Sequence, residues 1–166
     1  MREHQLTTSK NNQIKVVAES KEAVAHFAEP ENHVGTILRQ INEERMYDPI
    51  FADGEDMTVL DLGANVGLFS LYAADSCKRV VAVEAVPGTY TIAKELTAKH
   101  SQIEPHQYAI SHKDQDVSFY INENSTTNSL VSHQGDEITV PGITVASLLE
   151  KLEIDQVDFV KCDIEG

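Results

Sequence analysis

The chain has 166 residues, of which 41% are hydrophobic and 24% charged, and these values are typical of one globular domain with its own core. Its net charge of −14 argues against a nucleic-acid partner, because binding to phosphates depends on Lys and Arg. No apolar run reaches the roughly 20 residues of a membrane span, and none near the N-terminus resembles a secretory signal. We therefore expect a cytoplasmic protein without a membrane segment, whose two cysteines are buried thiols.

The chain begins with a polar segment. Residues 1–13 carry too few apolar groups to offset the entropy of ordering a backbone, so we expect a frayed start within a partly disordered N-terminal segment, 1–33. Apolar residues at helical spacing then predict a helix within 33–47. Asp48-Pro49 ends this helix, because a residue before proline is disfavoured in the helical conformation.

From residue 57 the chain alternates between strand and helix patterns. Apolar or alternating runs predict strands, and apolar residues one turn apart predict helices. The predicted strands are 57–62, 79–84, 104–110, 116–121 and 157–162, and the predicted helices are 66–73, 87–99 and 144–152. Repeated strand-helix-strand units imply an α/β fold with a mostly parallel sheet and helices on both faces.

A glycine-containing loop joins the first of these strands to a helix. Residues 61–67, Asp-Leu-Gly-Ala-Asn-Val-Gly, form this glycine loop with the pattern D-x-G-x-x-x-G, in which glycines allow a tight turn and close approach of a ligand. A dinucleotide site uses G-x-G-x-x-G to place a pyrophosphate on the helix start. Asp61 suits a sulfonium and an ammonium group better than a pyrophosphate. The loop therefore favours S-adenosylmethionine over NAD, and a side chain at Gly63 or Gly67 should impair binding more than folding.

A second acidic residue, Glu84, ends the next strand. It lies 23 residues after Asp61, close to the roughly 20 expected for a carboxylate that binds ribose hydroxyls. Alternatively, the glycines serve only a tight turn and Glu84 is a solvated strand end. The strand, loop, helix and acid together favour nucleoside binding.

Three segments together resemble the FkbM family of methyltransferases. They are VLDLGANVG at 59–67, VEAVP at 83–87, and VDFVKCDIEG at 157–166, which carries a D-x-E-G signature. The resemblance implies a Rossmann-like three-layer sandwich and methylation of a hydroxyl oxygen on a sugar or secondary metabolite, with S-adenosylmethionine as donor. It also implies that Glu84 binds the ribose of the donor. The residues implied for the methionine end are Asp61, Gly63, Ala64, Asn65 and Gly67.

The resemblance also places two acids, Asp163 and Glu165, at the transfer site. Because a neutral alcohol is a poor nucleophile, either carboxylate can take up the proton of the acceptor hydroxyl, which belongs to a small molecule or a glycan. Alternatively, Asp163 caps the strand end or contacts the donor. No metal-ligand spacing such as H-E-x-x-H occurs, so no metal site is predicted.

The family pattern continues beyond Gly166 to another glutamate and further strands. We therefore expect residues 34–166 to be an incomplete methyltransferase domain that lacks C-terminal strands and is inactive alone, with an unpaired apolar edge at strand 157–162. Two alternative functions stay open, because a fold does not determine its function. One is an NAD-type Rossmann oxidoreductase, and the other is a non-catalytic nucleoside-binding module.

Overall fold

The computed structural model describes residues 3–7, 13–17, 37, 39–41, 43–52, 56–121 and 136–164. Within these ranges, residues 37 and 39–41 are helical, as predicted. The strands are β1 (Glu3–Thr7), β2 (Gln13–Val17), β3 (Met57–Leu62), β4 (Cys77–Glu84), β5 (Ile103–Gln107), β6 (Ala109–Ile110), β7 (Asp116–Ile121), β8 (Asp136–Ile143) and β9 (Phe159–Cys162). The helices with defined bounds are α1 (Asp48–Phe51), α2 (Leu68–Ala74), α3 (Pro87–Thr97) and α4 (Val145–Lys151).

A four-stranded parallel sheet, in the order β5-β4-β3-β9, forms the centre of the fold. β3 pairs with β4 on one side and with β9 on the other, so that Leu60 lies opposite both Val81 and Val160. The bounds of β3 and β7 are those predicted, β4 begins two residues earlier than predicted, and β9 begins two residues later. The predicted α/β fold with a mostly parallel sheet is confirmed.

The central sheet faces an apolar layer on each side, because successive side chains of a strand point to opposite faces. Val59 and Val80 lie in one buried cluster with Phe69 of α2. Leu60 lies in the other cluster, together with Leu148 of α4. Both leucines are at most 1% exposed, and burial of each such side chain contributes about 1.5–3 kcal/mol. Helices therefore cover both faces of the sheet, as predicted.

A second sheet of three strands, in the order β6-β8-β7, includes a strand that was not predicted, β8. β8 pairs antiparallel with β7 and parallel with β6. Its alternating pattern is obscured by Pro141 and Gly142, which are both uncommon inside strands. Pro141 lies opposite Asp116 at one end of the β7–β8 ladder. A Cβ at Gly142 would lie 2.5 Å from the carbonyl oxygen of Gln115, so this close approach requires glycine.

The N-terminal part differs from expectation in two places. Residues 1–13 are expected to be frayed, but β1 pairs antiparallel with β2, with Leu6 opposite Ile14. β2 is rich in β-branched residues, which favour strands. Pro49 lies in the first turn of α1 instead of following a helix, at a position where its missing N–H is not needed.

Two further expectations are corrected along the sheets. The predicted strand 104–110 is interrupted at Tyr108, and its halves, β5 and β6, belong to different sheets. The prediction of buried thiols is confirmed for Cys77 but is wrong for Cys162, which is exposed. The reason is that β9 forms an edge of the central sheet in the described part of the chain, where Val160 is also 47% exposed.

Thr144 caps the start of helix α4, as predicted. The side chain of Thr144 accepts a hydrogen bond from the backbone N–H of Ser147 at 3.1 Å, which satisfies a donor at the start of the helix. Among the helices of the described ranges, none is long and apolar enough to cross a bilayer.

Candidate active site

Three adjacent parallel strands, β4, β3 and β9, end at the same edge of the central sheet, which is the edge formed by the carboxyl ends of the strands. Backbone hydrogen bonds join these carboxyl ends. The backbone N–H groups of Gly63 and Ala64 both donate to the carbonyl oxygen of Val83, at 2.9 Å. The backbone N–H of Asp163 donates to the carbonyl oxygen of Leu62, also at 2.9 Å. Ligands of parallel α/β folds bind at this kind of edge. The structure therefore brings the glycine loop, the end of β4 and Asp163 together.

Both glycines of the loop have left-handed backbone conformations, with φ of +79° at Gly63 and +82° at Gly67. A Cβ at Gly63 would lie 2.2 Å from the carbonyl oxygen of Asp163, and one at Gly67 would lie 3.2 Å from Cγ2 of Thr97. Gly63 is therefore required by the contact between the loop and the end of β9. A side chain there disturbs the fold itself, which differs from the expectation that binding suffers first.

Glu84 links the glycine loop to the chain that follows β4. One of its carboxylate oxygens accepts the backbone N–H of Asn65, and the other accepts that of Val86, both at 2.9 Å. Burial raises the pKa of this carboxyl, and the two backbone donors act in the opposite direction. Asn65 is itself left-handed, with φ of 52°, and its Oδ1 accepts the backbone N–H of Val66 at 2.7 Å. The predicted proximity of Glu84 to the loop is observed, while its role in ribose binding stays a prediction.

Asp61 is fully buried beneath the loop. One carboxylate oxygen accepts a hydrogen bond from the hydroxyl of Ser70 at 2.7 Å, and the other lies 3.3 Å from the ammonium nitrogen of Lys161. Burial raises the pKa of Asp61, and the charge of Lys161 and the Ser70 hydrogen bond partly counter this rise. The carboxylate is therefore enclosed by protein groups, and direct contact with a donor stays a prediction.

Sequence reasoning missed Lys161 and Ser70. Lys161 lies directly opposite Asp61 in the β3–β9 register, so the two side chains share a face of the sheet. A lysine between the apolar residues Val160 and Cys162 of the predicted strand 157–162 was the available signal, because a buried lysine needs a partner. Burial alone would lower the pKa of Lys161, but the Asp61 and Asp163 carboxylates outweigh burial and raise it.

Asp163 follows β9, and its side chain is 60% exposed. Its Oδ2 lies 3.6 Å from the Lys161 ammonium. Tyr47, which precedes α1, packs its ring against Phe69 with centroids 4.8 Å apart. Burial raises the pKa of the Tyr47 phenol, Lys161 lowers it, and the nearby carboxylates of Asp61 and Asp163 raise it further. The other predicted acid, Glu165, lies outside the described residues.

The charges at this edge are mostly negative. The carboxylates of Asp61 and Asp163 lie within 3.6 Å of the Lys161 ammonium, and a third carboxylate, that of Glu84, binds the glycine loop. Such an arrangement attracts a ligand that carries positive charge. In the part of the chain that the structure describes, no group of three His, Cys, Asp or Glu side chains has an arrangement suited to a metal ion.

Comparison with known proteins finds a family that part of the chain matches and solved structures that the chain resembles. Residues 61–166 match the family model described as the methyltransferase FkbM domain. No curated protein matches the chain. The chain is 16% identical to YcgJ from Bacillus subtilis over 44% of its own length and 33% of that protein, with a TM-score of 0.37. It is 12% identical to DhpI, solved as a complex with SAH, over 80% of its own length and 82% of that chain, with a TM-score of 0.40. The chain thus spans about a third of YcgJ.

Proposed function

Because the chain belongs to the FkbM methyltransferase family, we propose that it transfers a methyl group from S-adenosylmethionine to a hydroxyl oxygen of a sugar or secondary metabolite. The observation that supports this proposal most is the convergence of the glycine loop, Glu84 and Asp163 at the ends of β3, β4 and β9. A donor held by the loop and Glu84 would lie beside Asp163, because parallel α/β folds bind ligands at this edge.

The carboxylate of Glu84, at the carboxyl end of β4, is suited to bind the ribose of the donor. Each carboxylate oxygen of Glu84 accepts one backbone N–H, from Asn65 or from Val86. A carboxylate oxygen has two lone pairs, so each retains capacity to accept a ribose hydroxyl. We therefore assign Glu84 to ribose binding.

The methionine end of the donor is assigned to the backbone of the glycine loop, at Gly63, Ala64, Asn65 and Gly67. Asp61 has an indirect part in this assignment, because its fully buried carboxylate holds Lys161 and Ser70 beneath the loop. The net negative charge of the edge favours the positively charged donor over NAD.

When bound, S-adenosylmethionine supplies an electrophilic methyl group on a sulfonium. The chain supplies alignment of the acceptor and a group that takes up its proton. The exposed carboxylate of Asp163 is assigned this second role, in which general base catalysis contributes about 10²–10⁴-fold to the rate. Glu165, two residues further along the chain, is the second candidate.

The test uses the purified full-length protein and S-adenosylmethionine with a labelled methyl group. Donor affinity is measured by titration calorimetry, and transfer is measured on a panel of sugars and hydroxylated small molecules. Glu84→Gln should weaken donor binding about 10- to 150-fold, because a hydrogen bond to a charged group contributes about 1.5–3 kcal/mol. Asp163→Asn should bind the donor normally and lose transfer.

Gly88→Ala is the control variant, since a Cβ at this position meets no atom within 4 Å. Melting temperatures are compared as well, because Glu84 also holds the glycine loop. Unchanged donor affinity in Glu84→Gln would remove this residue from the ribose site. Donor binding by the wild type without transfer to any hydroxyl would contradict O-methylation and favour a non-catalytic nucleoside-binding module.

A further inference from the structure

Lys161 is a buried cation at the centre of the candidate active site. Its side chain is only 10% exposed, and the ring of Phe69 lies beneath its ammonium at 5.8 Å from the nitrogen. Three oxygens surround the ammonium: Asp61 Oδ1 at 3.3 Å, the Gly63 carbonyl at 3.4 Å and Asp163 Oδ2 at 3.6 Å. Asp61 and the Gly63 carbonyl lie within hydrogen-bond distance of the ammonium, and Asp163 forms an ion pair with it.

The three oxygens come from three different parts of the candidate active site. Asp61 lies within β3, Gly63 in the turn directly after β3, and Asp163 in the chain after β9. Stability alone does not account for this arrangement, because desolvation of a buried ion pair often costs as much as the attraction returns. Asp61 is fully buried and also bound by Ser70, so it provides a rigid anchor for the ammonium.

The side chain of Asp163 is oriented by this ammonium. Among the described residues, the Lys161 ammonium lies within ion-pair distance of the Asp163 carboxylate, and the Asp163 side chain is otherwise exposed. An exposed carboxylate without such a partner samples several rotamers. A base that is to meet an acceptor hydroxyl must hold one geometry, because a misplacement of 1 Å can cost about 100-fold in rate.

We propose that Lys161 is a positioning residue for methyl transfer. Its ammonium is bound to Asp61 and holds the Asp163 carboxylate at a fixed position relative to the glycine loop. This inference rests on the proposed function. Lys161 thereby couples the group that meets the acceptor to the loop that binds the donor. It takes no part in proton transfer itself.

The test separates positioning from structural support by using two variants. Lys161→Met combined with Asp61→Asn removes both buried charges, so neither is left unpaired. Lys161→Arg keeps the charge opposite Asp61, but a planar guanidinium cannot direct donors toward three oxygens in the way that an ammonium does. Lys99→Met, at an exposed position in the turn after α3, is the matched control.

Melting temperature, donor Kd, and kcat and KM for the acceptor are measured for each protein. Both Lys161 variants should melt cooperatively, and kcat should fall about 100-fold for the double variant and less for the arginine variant. The arginine variant, which keeps Asp61, should bind the donor within a few-fold of wild type. The control should match wild type in all four quantities. Should the double variant not fold, the arginine variant decides the question.

Wild-type kcat in either folded variant would overturn the proposal, since Lys161 would then be a structural counter-ion only. A loss of donor affinity in Lys161→Arg that parallels its loss of kcat would also overturn the proposal, since Lys161 would then serve donor binding. If the wild type transfers methyl groups and the variants do too, only the role of Lys161 is refuted. If the wild type transfers none, the proposed function fails and this inference fails with it.

Discussion

Three glycines provide a graded test of the described packing, because alanine adds the same atom at each. At Gly63 the left-handed backbone costs an alanine about 1–2 kcal/mol. Its Cβ would lie 2.2 Å from the Asp163 carbonyl oxygen, so the end of β9 must shift and strain the hydrogen bond from Asp163 to Leu62, worth about 0.5–1.5 kcal/mol. Gly63→Ala should therefore lower the free energy of unfolding by about 1.5–3.5 kcal/mol.

Alanine substitutions at Gly67 and Gly88 provide the comparison for the loss of stability at Gly63. Gly67 has the same left-handed conformation, but the nearest atom to its Cβ would be the Thr97 methyl group, at 3.2 Å, so Gly67→Ala should cost about 1–2 kcal/mol. At Gly88, in the first turn of α3, a Cβ meets nothing within 4 Å. Gly88→Ala should therefore stabilise the protein by about 0.4–1 kcal/mol, since it restricts the unfolded chain.

Thermal unfolding, supported by urea titration, measures the series. At about 2–4 °C per kcal/mol for a chain of this size, Gly63→Ala should lower Tm by about 3–14 °C and Gly67→Ala by about 2–8 °C, while Gly88→Ala should raise Tm slightly. Equal effects at Gly63 and Gly67 would show that the backbone conformation alone matters. A Gly63→Ala variant as stable as wild type would refute the close contact between the glycine loop and the end of β9.

The contributions of Asp61 and Asp158 to the stability of the protein should change with pH in opposite directions. Burial raises the pKa of Asp61 above its ordinary value of 3.8, so its stabilising contribution is present below about pH 3.8 and is lost as pH rises through the folded-state pKa. Asp61→Asn should therefore lose less stability than wild type over this range. The backbone N–H of Thr58 lowers the pKa of Asp158, so this contribution is present above its ordinary pKa and is lost as pH falls. The free energy of unfolding of Asp158→Asn should therefore fall less steeply with decreasing pH than that of wild type. Urea unfolding at a series of pH values measures the effect for both variants.

Local patterns in the sequence were sufficient for some strands of the central sheet and for one of its helices. The strand 57–62 and the helix that begins at Pro87 were predictable, because apolar runs and turn residues are signals within a few neighbouring positions. The proximity of Glu84 to the glycine loop was also predictable, since the carboxyl ends of parallel strands meet at one edge. The three motifs further indicated the family that the comparison with known proteins found.

Only the tertiary structure decided which side chains meet. β8 escaped prediction because Pro141 and Gly142 interrupt its alternation, and its pairing with β7 is what makes it a strand. The exposure of Cys162 depends on β9 lying at an edge of the sheet. Asp61 and Lys161 are 100 residues apart, and their ion pair exists because β9 pairs with β3 in one particular register. Local propensity carries no information about register between distant strands, so the buried cation of the site became visible only in the folded chain.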